Sequence, residues 1–131
     1  MAEHRQYELQ DIVIAWNDTK QEPLADRVRV ARSLWSRTRG LLGTRELPKG
    51  NGLLIEPCNA IHSFWMRYSF DALFLKRDGE IVHAISRMQP QRMSRPVFSA
   101  HSVLELPAGT IEATATRPGD RVRVEPAPIL R

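Results

Sequence analysis

The chain has one cysteine, Cys58, among 131 residues. No internal disulfide can therefore hold its fold, and a lone thiol suits a reducing cytosol. No stretch approaches the roughly 18 consecutive apolar residues of a membrane span, and no apolar h-region follows Met1-Ala2-Glu3-His4-Arg5-Gln6. The expectation is a cytoplasmic protein without a membrane partner. Glycine is sparse, at 7 residues, and none stands ahead of a predicted helix in a phosphate-cradling pattern. Gly40 and Gly43 fall at the end of one, which excludes Walker and Rossmann sites. No Gly-x-Ser-x-Gly elbow is present. There is no Cys-x-x-Cys pair and no second histidine close to His62, so no metal and no cofactor are expected. Aromatics amount to 7% and do not interleave with a basic run, as a single-strand binder would require. Phe64 and Trp65 are read as core.

What is present suits one globular unit. An apolar share of 42% with 26% charged residues can bury a core, and the length fits a single domain over residues 1–131. No internal repeat or low-complexity segment appears. The net charge is +4 and the pI about 9.8, with arginine far outnumbering lysine. Basicity attracts phosphates, nucleic acids and acidic partners. The arginines are nevertheless dispersed along the chain, which is the pattern of a solvated surface.

Periodicity sets out the elements. Asp11 to Trp16 reads as a strand, Asn17 to Pro23 as a turn, and Arg27-Val28-Arg29-Val30 as a half-buried strand by strict alternation. Ser33 is a helix N-cap, and Leu34, Thr38, Leu41 and Leu42 form an apolar stripe closed by Gly43, with Gly40 inside the helix. Leu53-Leu54-Ile55 is a buried strand. Asp78-Gly79 predicts a two-residue type I′ turn joining 72–77 to 80–85, with Arg77 opposite Glu80, Leu75 opposite Val82 and Leu73 opposite Ala84. Residues 86–100 read as a long loop. Val103 to Leu106 and Arg121 to Val124 are further strands, while Thr110 to Thr116 fits either a strand or a helix. The predicted fold is mainly β. It is a sandwich or partly open barrel of short, mostly antiparallel strands with one packed α-helix, about 33–42, and room for a second short helix, about 110–115.

Arg39-Gly40-Leu41-Leu42-Gly43, Ile61-His62-Ser63-Phe64-Trp65-Met66, Asp71-Ala72-Leu73-Phe74-Leu75 with Asp78-Gly79, Val103 to Gly109, and Gly119-Asp120 occur in that order. In these motifs the chain resembles domain-of-unknown-function family 192, over roughly Asp26 to Val124. The resemblance implies a compact prokaryotic β domain with a short helix after the first strands. It supplies no activity. Many members have a shorter segment in place of Pro57 to His62, so readings of that segment concern a subgroup.

The chemistry concentrates between Cys58 and Asp71. If Ile61 to Met66 is extended, His62 and Met66 share a face. With Cys58 they are soft-metal ligand types, although core packing explains the cysteine and the methionine more cheaply. Cys58 with His62 is also a nucleophile–base pair in kind, and the bland reading is a buried, inert thiol. Glu105 interrupts an apolar strand. Its side chain either points outward to solvent or lines a cleft with His62 and Asp71. Asp71 and Asp120 otherwise read as turn or capping residues. Arg87, Arg92 and Arg95 give the 86–100 loop a positive field able to cover such a cleft.

The ligand-binding candidates are thus Asn59, His62, Met66, Asp71, Glu105, Arg92 and Arg95. Three functions are compatible with them: a non-catalytic domain binding a small ligand or a protein partner; a small hydrolase-like enzyme using His62 with Cys58 or a carboxylate; and a binder of anionic partners, RNA included, through dispersed arginines. Convergence of His62, Asp71 and Glu105 in one pocket would favour the first two, and their dispersal, with arginines gathered on one face, the third.

Overall fold

A computed structural model describes residues 12–128. Seven strands form one curled, half-barrel sheet: β1 (Ile12–Asn17), β2 (Glu22–Ala31), β3 (Asn51–Ile55), β4 (Phe70–Leu75), β5 (Ile81–Met88), β6 (Ser102–Pro107) and β7 (Val122–Pro126). Two short helices accompany them, α1 (Leu34–Arg39) and α2 (Thr110–Thr114). The strand order is β5-β4-β6-β3-β2-β1-β7. Every neighbouring pair is antiparallel except β2 with β3. A parallel pair needs a crossover, which α1 and the turns after it supply. The expected strands are all found within the described residues; Asp11, the predicted start of the first, lies outside them, as do Met1 to Gln6.

Alternation along the strands makes two cores. The inner face gathers Ala15, Val28, Leu54, Leu73, Leu104 and Val122. The outer face of β3, β4 and β6 packs Leu53, Ile55, Phe70, Phe74 and Val103 beneath Leu41, Ile61, Met66 and Val97. The sheet edges meet at one end, where Glu80 bridges Arg121 and the Ile81 amide donates to the Asp120 carbonyl at 2.8 Å. A buried polar clamp secures that end. Asn17 Nδ2 donates to Thr116 Oγ1 at 2.9 Å and to Asp120 Oδ2 at 3.0 Å, and Lys20 Nζ reaches the same carboxylate at 2.9 Å. Burial works to raise the Asp120 pKa. The hydrogen bonds from Asn17, Lys20 and the Arg117 amide outweigh it and hold the carboxyl below its ordinary value.

The first helix departs from expectation. Ser33 does cap it, accepting from the Ser36 amide at 3.0 Å in a reciprocal capping box. However, the helix stops at Arg39. Gly40 takes a positive φ (+50) at its C-cap, so it does not lie inside the helix. None of the helix residues is buried, and Leu34 and Trp35 are largely exposed. Of the proposed stripe only Leu41 is buried in the core, with Leu42 partly buried against it, and both lie beyond the helix. A six-residue helix lacks the two full turns that such a stripe needs.

The hairpin also closes differently. The Gly79 amide donates to the Lys76 carbonyl and the Lys76 amide to the Glu80 carbonyl, each at 2.9 Å. Only Gly79 has positive φ (+91); Asp78 does not. This is a type I turn followed by a left-handed glycine, not a two-residue type I′ turn. Leu73 pairs with Ala84 as expected, but a shift beyond Phe74–His83 sets Leu75 opposite Ile81. The bulge turns Ile81 to the inner core and Val82 to the outer one. β5 then continues through Ser86 and Arg87 to Met88, so the irregular segment is 89–100. Residues 110–114 are helical.

Ile61 to Met66 is not extended. The Met66 amide returns to the Ser63 carbonyl at 3.2 Å, and Trp65 has φ +63. Buried Ser63 exchanges hydrogen bonds with Arg92, while the Trp65 amide donates to Gln91 Oε1 at 2.6 Å. Trp65 is 78% exposed and is not core. Trp65→Ala is therefore expected to shift unfolding free energy by less than about 1 kcal/mol. A loss of several kcal/mol in urea denaturation would restore the core reading.

Candidate functional site

Between α1 and the segment after β3 lies a cleft of about 80 Å3, lined by Arg37 to Leu42, Cys58, Ala60 to His62, Ile55, Met66, Phe70 and Glu105. A single water needs roughly 10–15 Å3, so the space admits several waters or a ligand of a few heavy atoms.

Glu105 forms its floor. β6 sets this residue beside Leu53 of β3 and Ala72 of β4, on the outer face of the sheet. That face is covered by other segments, so the side chain is only 3% exposed, and its outward direction does not bring it to solvent. Among the described residues no side chain or backbone group hydrogen-bonds or ion-pairs with its carboxyl. Burial disfavours the charged form and pushes its pKa up to about 8. At neutral pH the group is chiefly a neutral acid, able to donate one hydrogen bond.

Arg37 lines the opposite side. Its Nη1 donates to the Pro57 carbonyl at 3.2 Å, whereas Nε is buried without an acceptor among the described residues. An unanswered donor and an unanswered carboxyl on two residues that line one small cavity are unusual, because buried polar groups normally find partners.

Cys58 sits between these groups electrostatically. Its pKa is raised, first by burial; the hydrogen bond to the Ala60 carbonyl (3.2 Å) lowers it, Glu105 raises it and Arg37 lowers it. The residue is half-buried, not fully buried as expected. Its thiol donates to Ala60 and not to His62, so no activated nucleophile pair is formed. His62 is exposed at the mouth, stacked on Phe64 with ring centroids 5.3 Å apart, and its Nδ1 accepts from the Phe64 amide at 3.3 Å. Among the described residues no three His, Cys, Asp or Glu side chains are grouped to hold a metal. A thiol kept protonated reacts slowly. Cys58 is expected to react with an aromatic disulfide reagent at least tenfold more slowly than the unfolded chain at neutral pH. Equal rates would show that the thiol is not suppressed.

Of the residues singled out from sequence, the cleft brings together His62, Met66 and Glu105. Asp71 is on the inner face of the sheet, paired with Leu106. Its carboxylate accepts from the Arg87 and Ile111 amides, each at 2.8 Å, fixing a strand irregularity and the start of α2. This is the capping role. Asn59 is exposed, and its carbonyl receives the Val97 amide at 2.8 Å. Arg92 and Arg95 are exposed and do not line the cleft, and Arg87 pairs with Glu112 at 3.1 Å. Residues 89–100 run beside 58–63, as the His62–Met93 bridge and the bond from the Ser94 amide to the Ile61 carbonyl (2.8 Å) show. They form a wall behind that segment, and the cleft takes its positive charge from Arg37 and Arg39 instead. Nothing local in the sequence marks Arg37. Its place follows from the early end of α1.

A family model described as "Uncharacterized ACR", that of domain-of-unknown-function family 192, matches residues 15–124. A UPF0127 protein of Thermococcus sibiricus is 33% identical over 113 residues, covering 81% of this chain and 71% of the relative. A crystal structure of a protein of unknown function from Novosphingobium aromaticivorans matches with a TM-score of 0.73 at 19% identity, over 86% of this chain and 83% of that one. Another, a candidate transcription regulator from Sinorhizobium meliloti 1021, gives 0.72 at 24%, over 86% and 92%. At those identities the structural likeness shows the fold alone. The half-barrel and the match over most of the chain agree with the motifs that run from Arg39-Gly40 to Gly119-Asp120, and the chain belongs to domain-of-unknown-function family 192.

Proposed function

We propose that the protein is a non-catalytic binding domain for a small ligand, taken up in the cleft floored by Glu105. The observation that supports this most is the Glu105 carboxyl itself, 3% exposed and without a partner among the described residues, facing a space large enough for a ligand. A buried polar group left unsatisfied costs roughly 1–3 kcal/mol. A bound molecule that completes its hydrogen bonding recovers that cost. The hydrogen bond of Cys58 to Ala60 and the exposed, Phe64-stacked His62 speak against the hydrolase-like alternative. The anionic-partner alternative loses support where exposed arginines already pair with acids, as Arg121 does with Asp78 and Arg123 with Asp18. We further read residues 1–131 as one cytoplasmic domain, on the single sheet spanning Ile12 to Pro126 and the lone thiol.

Amide NMR of the full chain against a collection of small polar fragments tests this reading. Binders should perturb Arg37 to Leu42, Cys58 to His62 and Glu105 together. Perturbations gathered around Lys76, Arg77 and Arg121, or produced by RNA and by no fragment, would contradict it.

A further inference from the structure

The chemical class of the ligand follows from the walls of the same cleft, and this step rests on the binding role just proposed. We propose that the cleft takes a small monocarboxylate with a short apolar tail, Arg37 supplying the countercharge and Glu105 a hydrogen bond.

The two polar groups that carry the argument, Arg37 and the neutral Glu105, can both donate. The Arg37 guanidinium has one nitrogen tied to Pro57 and a buried Nε with no acceptor among the described residues, and guanidinium geometry suits a planar carboxylate. Glu105 in its neutral form offers one O–H. Among the described residues no other carboxylate lines the cleft: its other titratable groups are Arg37 and Arg39 from the α1 side and Cys58 and His62 from the segment after β3. Tyr68, bonded to Thr44 at 2.6 Å, lies within electrostatic reach of Glu105. An incoming anion therefore meets two cationic side chains and one acid that burial keeps protonated. An incoming ammonium would meet the same two cations with no negative charge to offset them.

The remaining walls, Leu41, Leu42, Ile55, Ile61, Met66 and Phe70, are apolar. They reward a hydrocarbon tail by about 0.8 kcal/mol per buried CH₂. The cavity of about 80 Å3 limits that tail to a few carbons. A dianionic phosphate would bring a second charge with only one buried countercharge and leave the apolar walls unfilled.

The test compares butyrate, butyramide and butylamine, which share a tail and differ in the head, by calorimetry and amide NMR on the full chain. Butyrate is expected to perturb Arg37 to Leu42 and Cys58 to His62, and butylamine to leave them unmoved. Because binding uses the protonated acid, butyrate affinity should fall by about tenfold per pH unit above 8. Glu105→Gln, whose carboxamide still donates, should bind butyrate with that fall removed. Arg37→Gln should weaken binding at least tenfold, the loss of one countercharge. The wild-type pH series carries the test even if a variant does not fold. Cleft binding of butylamine in place of butyrate, or butyramide binding as tightly as butyrate, overturns the carboxylate assignment and leaves the ligand site standing. If none of the three moves the cleft amides while other fragments do, the assignment falls alone. If no fragment does, both fall.

Discussion

Replacing Gly79 by valine is expected to destabilise the protein by roughly 3 kcal/mol or more. A Cβ at this position would stand 2.1 Å from the Val122 carbonyl oxygen, a backbone atom that cannot rotate away. The residue also holds φ +91, which a β-branched side chain scarcely tolerates. Relief requires the turn to move off β7. That movement breaks the bond from the Val122 amide to the Gly79 carbonyl (2.9 Å) and loosens the closure made by Glu80 and Arg121. Glycine is required here by the closing of the half-barrel as well as by the turn. Urea denaturation measures the effect; a loss under about 1 kcal/mol would mean that the edges do not meet at Gly79.

Glu105→Gln is expected to make the protein more stable than wild type at pH ~9, by on the order of a few kcal/mol. The folded-state pKa is raised to about 8, whereas the unfolded chain titrates near the ordinary glutamate value of about 4.3. Between those values the native state keeps a proton that the unfolded state has lost, so wild-type stability falls as pH rises. The contribution is fully present below the unfolded pKa and is lost as pH rises through the folded one. Cys58 and Tyr68, also raised first by burial, titrate higher and are common to both proteins, so the difference between wild type and variant isolates Glu105. At pH ~4, below both values, the two should agree within about 1 kcal/mol, since an unpartnered carboxamide replaces an unpartnered neutral acid. Parallel stability curves from pH ~5 to ~9 would show that Glu105 ionises as an ordinary carboxyl.

Much of the sheet was legible because a strand's period of two survives without knowledge of its neighbours. Val28 and Val30 against Arg27 and Arg29 mark β2, and Leu104 and Leu106 around Glu105 mark β6. What was not legible is what depends on how elements meet. Ile81 and Val82 exchanged faces because the turn is three residues long and a bulge follows it, neither of which Asp-Gly specifies. The α1 stripe failed because Gly40 ends the helix before Leu41. Glu105 was visible as a charged residue in an apolar strand, but its partners were not. Asp71 and Glu105 were grouped as one acidic site, yet β4 and β6 pair Asp71 with Leu106 and Ala72 with Glu105. That one-residue offset places the two carboxyls on opposite faces of the sheet. Arg37 escaped notice because its relation to Glu105 exists only once the α1 crossover lies over the outer face of β6.

The most direct test of the Glu105 cleft is the titration of that carboxyl itself, followed through its side-chain carbon signal in the folded protein without added ligand. A carboxyl that is buried, unpartnered and open to the cleft should titrate at about 8, and its signal should respond to a cleft-binding fragment. A midpoint near the ordinary glutamate value of about 4.3, unmoved by any fragment, would mean that Glu105 is solvated and would contradict the assignment of this cleft as the binding site.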